Sequence, residues 1–377
     1  MKFTLSWLKE HLDTTASLRE ITEALTDLGL EVEGVHDPAS ALAPFTLAKV
    51  IHAEQHPDAD RLRVCRVLTD AGEVQIVCGA PNARAGITAV LAKPGDYVPG
   101  IDLTLGTSKI RGVESHGMLA SEREMMMSDE HDGIIELPSG EVGQKFTDWL
   151  AANRPDAVDP VIEIAITPNR PDALGVRGIA RDLAARGLGV LKPLDPVVVP
   201  GAFPCPVAVT IAPEVADKAP FFAGRTIRGV RNTPSPAWLQ ARLRAIGLRP
   251  ISALVDITNF FTMDLNRPLH VFDAGLLKGG LHLRGATAGE QVRTLDDKTH
   301  AMPEGGVLIC DDAGPQSIAG LMGGADSAAG SGDASIDGAV RLVQRLYAAQ
   351  QRADQGAGPN PLDTGQAGDY FFSDAVQ

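Results

Sequence analysis

Between Arg249 and Asp273 the sequence sets a cation (Arg249), a hydroxyl (Thr258), a carboxamide (Asn259) and an imidazole (His270) among apolar and aromatic residues. That composition suits a mostly dry pocket with a few convergent polar groups. No activated Ser or Cys nucleophile is evident among these residues. From Arg225 to Arg249 the chain carries six arginines (225, 228, 231, 242, 244 and 249) and no Asp or Glu. Positive charge is thus concentrated beside the pocket, as a phosphate-bearing substrate requires. Taken alone, His270 reads as a structural, hydrogen-bonded core histidine.

These residues need elements to hold them, and the chain is long enough to supply several. Its 377 residues, 44% hydrophobic and 22% charged, predict two or more domains. A net charge of −14 excludes a protein that holds nucleic acid by bulk electrostatics and leaves only local patches for such binding. Cys65, Cys78, Cys205 and Cys310 show no Cys-x-x-Cys pair and no ligand spacing, and there is neither a signal peptide nor an apolar run near 18 residues. Buried, reduced thiols in a cytoplasmic protein with no membrane association are expected.

In order, Ser6-Trp7-Leu8 reads as a short turn, and Ser17-Leu18-Arg19-Glu20 as a capping box before a helix with Leu18, Ile21, Leu25 and Leu28 on one face. Gly29 closes that helix. Short strands are then expected at 45–51, 62–69, 73–78, 87–92 and 101–105, with Asp70-Ala71-Gly72 as a hairpin turn, a spacing that suggests a small OB-type barrel. His56-Pro57-Asp58 reads as a turn with His52, His56, Asp58 and Asp60 solvated. Zinc there is disfavoured by the lack of a thiolate, and no metal is assigned. A strand at 161, a Pro-Asn-Arg-Pro-Asp turn with Asp172 able to N-cap, and an amphipathic helix to Arg186 follow. After a proline-punctuated linker, strands at 207–211 and 221–228 precede Ser235-Pro236, an N-cap with Pro at N1. Further strands are expected at 281–285, 291–294, 306–311 and 316–319.

Several of these segments resemble the beta subunit of bacterial phenylalanyl-tRNA synthetase. His56-Pro57-Asp58-Ala59-Asp60-Arg61-Leu62, Cys78-Gly79-Ala80-Pro81-Asn82-Ala83-Arg84 and Lys109-Ile110-Arg111-Gly112-Val113-Glu114-Ser115-His116-Gly117-Met118 look like the tRNA-binding OB domain that this subunit shares with other tRNA-binding proteins. The Pro-Asn-Arg-Pro-Asp turn fits the same family. So do Arg-Pro-Ile-Ser, Val-Asp-Ile-Thr-Asn, Arg-Pro-Leu-His-Val-Phe-Asp and Ile318-Ala319-Gly320-Leu321-Met322-Gly323-Gly324, which resemble its editing domain. Together they cover roughly residues 1–330 in the right order.

The resemblance implies an α+β, multidomain chain: a segment 1–38, an OB-type domain 39–148 inserted in a small α/β N-terminal unit, a strand-turn-helix and linker 149–203, and a mixed α/β editing-type domain 204–335. It implies a shortened beta subunit of phenylalanine–tRNA ligase that binds tRNA(Phe), supports aminoacylation with an alpha subunit in a heterotetramer of two alpha and two beta chains, and hydrolyses Tyr-tRNA(Phe). On the same basis Thr258, Asn259 and His270 are the hydrolytic residues, and Arg249, Ala319 and Gly320 bind substrate. The tRNA-binding residues are Arg61, Arg63, Lys109, Arg111, Arg242 and Arg244. ATP and Mg2+ belong to the complete enzyme, and no cofactor is expected on this chain itself.

The resemblance breaks after Gly324. Where the family places a glutamate to meet the tyrosine hydroxyl, this chain reads Ile336-Asp337-Gly338-Ala339-Val340-Arg341. The edge is abrupt, of the kind that a one-base insertion or deletion leaves. Residues 336–377, rich in Ala, Gln, Gly and Asp, are expected to be a divergent and poorly ordered tail. The parts of the family's beta subunit that normally follow have no counterpart in the sequence. A stand-alone tRNA-binding and editing module, or an inactive remnant, is the alternative.

Overall fold

The chain leaves its first unit after Val35 and returns to it at Val161, so residues 36–160 form a second unit inserted into the first. The computed structural model describes residues 1–196, 199–328, 332–336 and 339–344. Much of the expected tail, residues 345–377, lies outside the described residues.

In the first unit the expected turn at Ser6-Trp7-Leu8 is part of a helix, Leu5–His11, capped by the Thr4 hydroxyl on the Trp7 N–H. The capping box forms as expected, with Ser17 and Glu20 opening the helix Leu18–Asp27 and Gly29 at φ 77° just beyond its end. Strand Lys2–Thr4 pairs antiparallel with Val161–Ala165, which also borders Glu31–His36. These elements and the helix Val176–Ala185 close over Phe3, Trp7, Leu8, Ile162 and Ile179, all fully buried.

Asp172 does not cap that helix. Residues Pro171–Ala173 form a 3-10 turn, Gly175 holds the N-cap position without a side-chain bond, and Asp172 instead pairs with Arg170 and Arg181. The two arginines compete successfully for the carboxylate because a full charge is a stronger partner than a backbone N–H.

Beyond the linker, a five-stranded sheet runs in the order Val209–Ile211, Leu281–Gly285, Val307–Asp311, Gly314–Ile318, Met322–Gly323. Its first pair is parallel and the rest antiparallel. A second sheet sets Ala339–Gln344 between Phe222–Ile227 and Leu269–Asp273. Helix Ala237–Ala245 starts from Pro236 with no side-chain cap, another departure from expectation, because the Ser235 hydroxyl donates to Asp256 instead. The longest helix here, Ala253–Leu265, ends at Asn266 in the left-handed region at φ 52°.

The inserted unit holds strands Thr46–His56, Ala59–Thr69, Gly72–Cys78 and Thr88–Ala92, near the expected positions. The expected strand at 101–105 shortens to Leu103–Thr104. The sheet order is Met118–Leu119, Thr88–Ala92, Thr46–His56, Ala59–Thr69, Gly72–Cys78, with Glu136–Leu137 also on Thr88–Ala92. Its ladder among the described residues does not close into a barrel. The two edges are tied instead by the His116 N–H on Gln75 O (2.9 Å) and the Val77 N–H on Ser115 Oγ (3.0 Å). Val50, Cys65, Val67, Ile76 and Ala89 fill one side of this sheet.

The chain is therefore a mixed α and β protein with several sheets. Among the described residues no helix is long and apolar enough to cross a membrane. Cys65, Cys78 and Cys310 are buried free thiols, and Cys205 departs from expectation in being exposed.

Candidate functional site

His270 lies in the strand Leu269–Asp273, with its ring edge-on to Phe272 at 4.4 Å between centroids. The residue keeps some exposed surface, but its Nε2 is buried and, among the described residues, has no hydrogen-bond partner. Burial pushes its pKa down to about 4, so the imidazole is neutral at pH 7. A buried polar nitrogen left unpaired costs free energy, and such a group is where a ligand or water is recognised.

Space for the ring comes from Gly323 on the neighbouring sheet. A Cβ at 323 would lie 2.7 Å from His270 Nδ1 and 2.8 Å from Nε2, well inside van der Waals contact. Gly323 closes the turn that begins at Ala319 and Gly320, whose φ is 75°. The histidine and the Ala319-Gly320 turn are thus brought to one neighbourhood. The Ala319 N–H is already committed to Val307 O at 3.0 Å.

Thr258 and Asn259 sit half-buried in the helix Ala253–Leu265, which packs on the His270 strand through the short link 266–268. The Thr258 hydroxyl donates to Val255 O at 2.7 Å, leaving its lone pairs available. The amide of Asn259 is uncommitted among the described residues. Arg249 is exposed ahead of the helix, with no ion pair among the described residues.

Acidic residues that the sequence did not single out hold this helix. Near its start Asp256, 1% exposed, accepts from the Ser235 hydroxyl and from the Ile251 N–H at 2.8 Å. Near its end Asp264 Oδ1 accepts from Trp7 Nε1 at 2.7 Å and faces His11 Nε2 at 2.5 Å. The only sequence signal for these anchors was an acidic residue within an apolar helix.

The arginine run is less available than its composition suggests. Arg225 donates to the carbonyls of Val199 (2.7 Å) and Pro200 (3.2 Å), and Arg228 lies 4.3 Å above the Phe203 ring. Arg242 pairs with Glu10 and is enclosed by the rings of Trp7, Trp238 and Phe260 at 5.1, 5.5 and 5.7 Å. Arg244 is exposed and donates to Gln240 Oε1 at 2.8 Å.

In the inserted unit the structure joins two of the polar segments. His56 is only 2% exposed and not a solvated turn residue. The Asp58 N–H donates to its Nδ1 at 3.0 Å, and its Nε2 faces Ile110 O at 3.1 Å. Arg111, at φ 46°, donates to Asp58 O at 2.9 Å, which locks the 108–115 hairpin onto the turn that precedes Arg61. Lys109 faces Glu114 at 3.6 Å, while Arg61 and Arg63 lie near the start of the strand Ala59–Thr69, where its register with Thr46–His56 shifts. The Arg111–Asp58 contact brings the hairpin that carries Lys109 and Arg111 beside the turn that precedes Arg61. Among the described residues no cluster of three or more His, Cys, Asp and Glu is placed to hold a metal ion.

With this geometry in view, a family model described as "Putative tRNA binding domain" matches residues 45–145, and one described as "B3/4 domain" matches residues 218–336. The chain is 69% identical over 324 residues to the phenylalanine–tRNA ligase beta subunit of Ruegeria pomeroyi, covering 86% of this chain and 41% of that protein. It is 60% identical over 333 residues to that of Cereibacter sphaeroides, with the same coverage. The chain thus spans about two-fifths of the length of the curated relatives it matches. A solved N-terminal fragment of the phenylalanyl-tRNA synthetase beta subunit from Pyrococcus horikoshii overlaps 51% of this chain and 57% of that one, at 14% identity and a TM-score of 0.31.

Proposed function

We propose that this chain acts as a beta subunit of phenylalanine–tRNA ligase, on the strength of its similarity to curated beta subunits. In this reading it binds tRNA(Phe), supports aminoacylation with an alpha subunit in a cytoplasmic heterotetramer of two alpha and two beta chains, and hydrolyses Tyr-tRNA(Phe). The observation that carries it is the 69% identity over 324 residues, together with the two family matches in sequence order. The division into 1–38, 39–148, 149–203 and 204–335 and the OB-type character of the inserted unit are part of the proposal.

The physical need for a second site is plain. A synthetic pocket for phenylalanine rejects the extra hydroxyl of tyrosine by only about 100-fold in comparable cases, so a separate hydrolytic site raises fidelity. Hydrolysis of the ester between tyrosine and the terminal ribose requires a water held against the carbonyl carbon. His270 is suited to orient that water, since its neutral imidazole can accept or donate at Nε2 without becoming a cation. Thr258 and the uncommitted amide of Asn259 offer further polar groups for water or ribose. Arg249, with no ion pair among the described residues, suits the negative charge of the tRNA end, and Ala319 and Gly320 lie in the turn that would border the amino acid or ester.

ATP and Mg2+ serve aminoacylation in the complete enzyme. Nothing in the hydrolysis above depends on either.

A second reading is a tRNA-binding and editing module that works apart from a synthetase, to which the two matched domains alone correspond. Co-expression with a tagged alpha subunit separates the two. Stoichiometric co-purification supports the beta-subunit reading, and its absence, with tRNA binding retained, supports the module.

A further inference from the structure

The helix Ala253–Leu265 is anchored by groups that lie outside the residues matched to the B3/4 model. Trp7, from the first helix of the chain, stacks on Phe260 with centroids 5.4 Å apart and planes within 4°, and its Nε1 donates to Asp264 Oδ1 at 2.7 Å. His11 meets the same oxygen at 2.5 Å through Nε2. Its other nitrogen, Nδ1, faces Arg177 Nη1 at 3.4 Å. A guanidinium can only donate, so His11 Nδ1 is the acceptor and its Nε2 carries the proton toward Asp264. One residue past the helix, Asn266 Nδ2 donates to Pro171 O at 2.6 Å, and Gly175 leaves no room for a side chain there, since a Cβ would lie 2.5 Å from the Asn266 N.

Phe260 and Asp264 are one turn apart and share a face. At 3.6 residues per turn, Thr258 and Asn259 lie about 120–140° round from Asp264. A clamp on the Asp264 face therefore fixes the rotation of the helix about its axis, and with it the aim of Thr258 and Asn259. We infer that Asp264, held by His11 and Trp7, is a positioning residue of the candidate hydrolytic site, so the N-terminal helix is a working part of that site. This rests on the hydrolytic reading above.

The test uses the full chain. Asp264→Ala removes the acceptor, while Asp264→Asn keeps a carbonyl oxygen where both donors converge. Trp7→Phe deletes one donor and keeps the ring stack. Two readouts are taken: single-substrate kinetics of Tyr-tRNA(Phe) hydrolysis, and amide exchange of residues 253–265.

The expected result is a kcat for Asp264→Ala lower by about 10- to 100-fold, with KM within about 3-fold. Asp264→Asn should recover most of the rate, and Trp7→Phe should fall between. Exchange in 253–265 should rise in Asp264→Ala but not in Asp264→Asn, while the strands Leu281–Gly285 and Val307–Asp311 stay protected. An unchanged kcat and unchanged exchange in Asp264→Ala overturn the inference, as does an Asp264→Asn variant as damaged as Asp264→Ala. If Asp264→Ala does not fold, Trp7→Phe and Asp264→Asn decide by the same criteria. If the wild-type chain hydrolyses nothing, the hydrolytic reading fails, and the exchange pattern alone decides whether the clamp exists.

Discussion

The imidazole of His270 occupies the space that a side chain on Gly323 would need, with both ring nitrogens within 2.8 Å of where a Cβ at 323 would stand. A methyl group at 323 must therefore displace the ring or the backbone. Gly323→Ala is expected to lower stability by about 1–3 kcal/mol, in the range of overpacked cores. Combining it with His270→Ala should recover much of that loss. Urea midpoints for the two single variants and the double variant measure the coupling. Additive losses would separate the two residues.

The same burial makes stability depend on pH. The folded pKa of His270, about 4, lies below its unfolded value near 6.5, so the unfolded chain binds the proton first as pH falls. The histidine's contribution is intact above about pH 6.5 and is lost progressively as pH falls from there toward 4. Relative to His270→Phe, the wild type should lose about 2 kcal/mol between pH 7 and pH 5. Parallel curves for the two proteins would show that His270 titrates in the folded state as it does in the unfolded chain.

For tRNA, Arg61 and Arg63 are the cleaner probes. Replacing both by Gln should reduce the salt slope of tRNA binding by roughly 0.7–0.9 for each phosphate that is no longer neutralised, with little change in thermal midpoint. Arg242 should behave differently, because its guanidinium pairs with Glu10 inside three aromatic rings. Arg242→Ala is expected to cost about 1–3 kcal/mol of stability. A salt titration paired with thermal melts distinguishes the two classes, and a large slope change with an unchanged melt for Arg242→Ala would return that residue to the tRNA interface.

Aminoacylation is expected to need the alpha subunit. The isolated chain should show no phenylalanine-dependent exchange of pyrophosphate into ATP. Exchange by contaminant-free protein would contradict this.

What the sequence revealed and what it hid divides by the distance between partners. The capping box at Ser17, the hairpin turn closed by Gly72 and the strand Leu281–Gly285 rest on patterns a few residues long, and each formed where local chemistry predicted. His270, Thr258 and Asn259 could be singled out from their residue types, because polar groups in an apolar run are conspicuous. The groups that hold them were not visible. Arg242 finds Glu10 across 232 positions, and Trp7 finds Asp264 across 257. Asp172 and Ser235 both looked like caps by local rule. Each was drawn away by a stronger partner: Arg170 and Arg181, two and nine positions away, for Asp172, and the buried carboxylate of Asp256 for Ser235.

Whether the surroundings of His270 form a hydrolytic site for mischarged tRNA is decided by the release of tyrosine from Tyr-tRNA(Phe) by the purified chain, set against Phe-tRNA(Phe) and against the His270→Ala variant. Release from Tyr-tRNA(Phe) is expected above the spontaneous rate, with slower release from Phe-tRNA(Phe) and a loss of about 10-fold or more in His270→Ala. Release at the spontaneous rate, or release that His270→Ala leaves unchanged, would contradict the hydrolytic role.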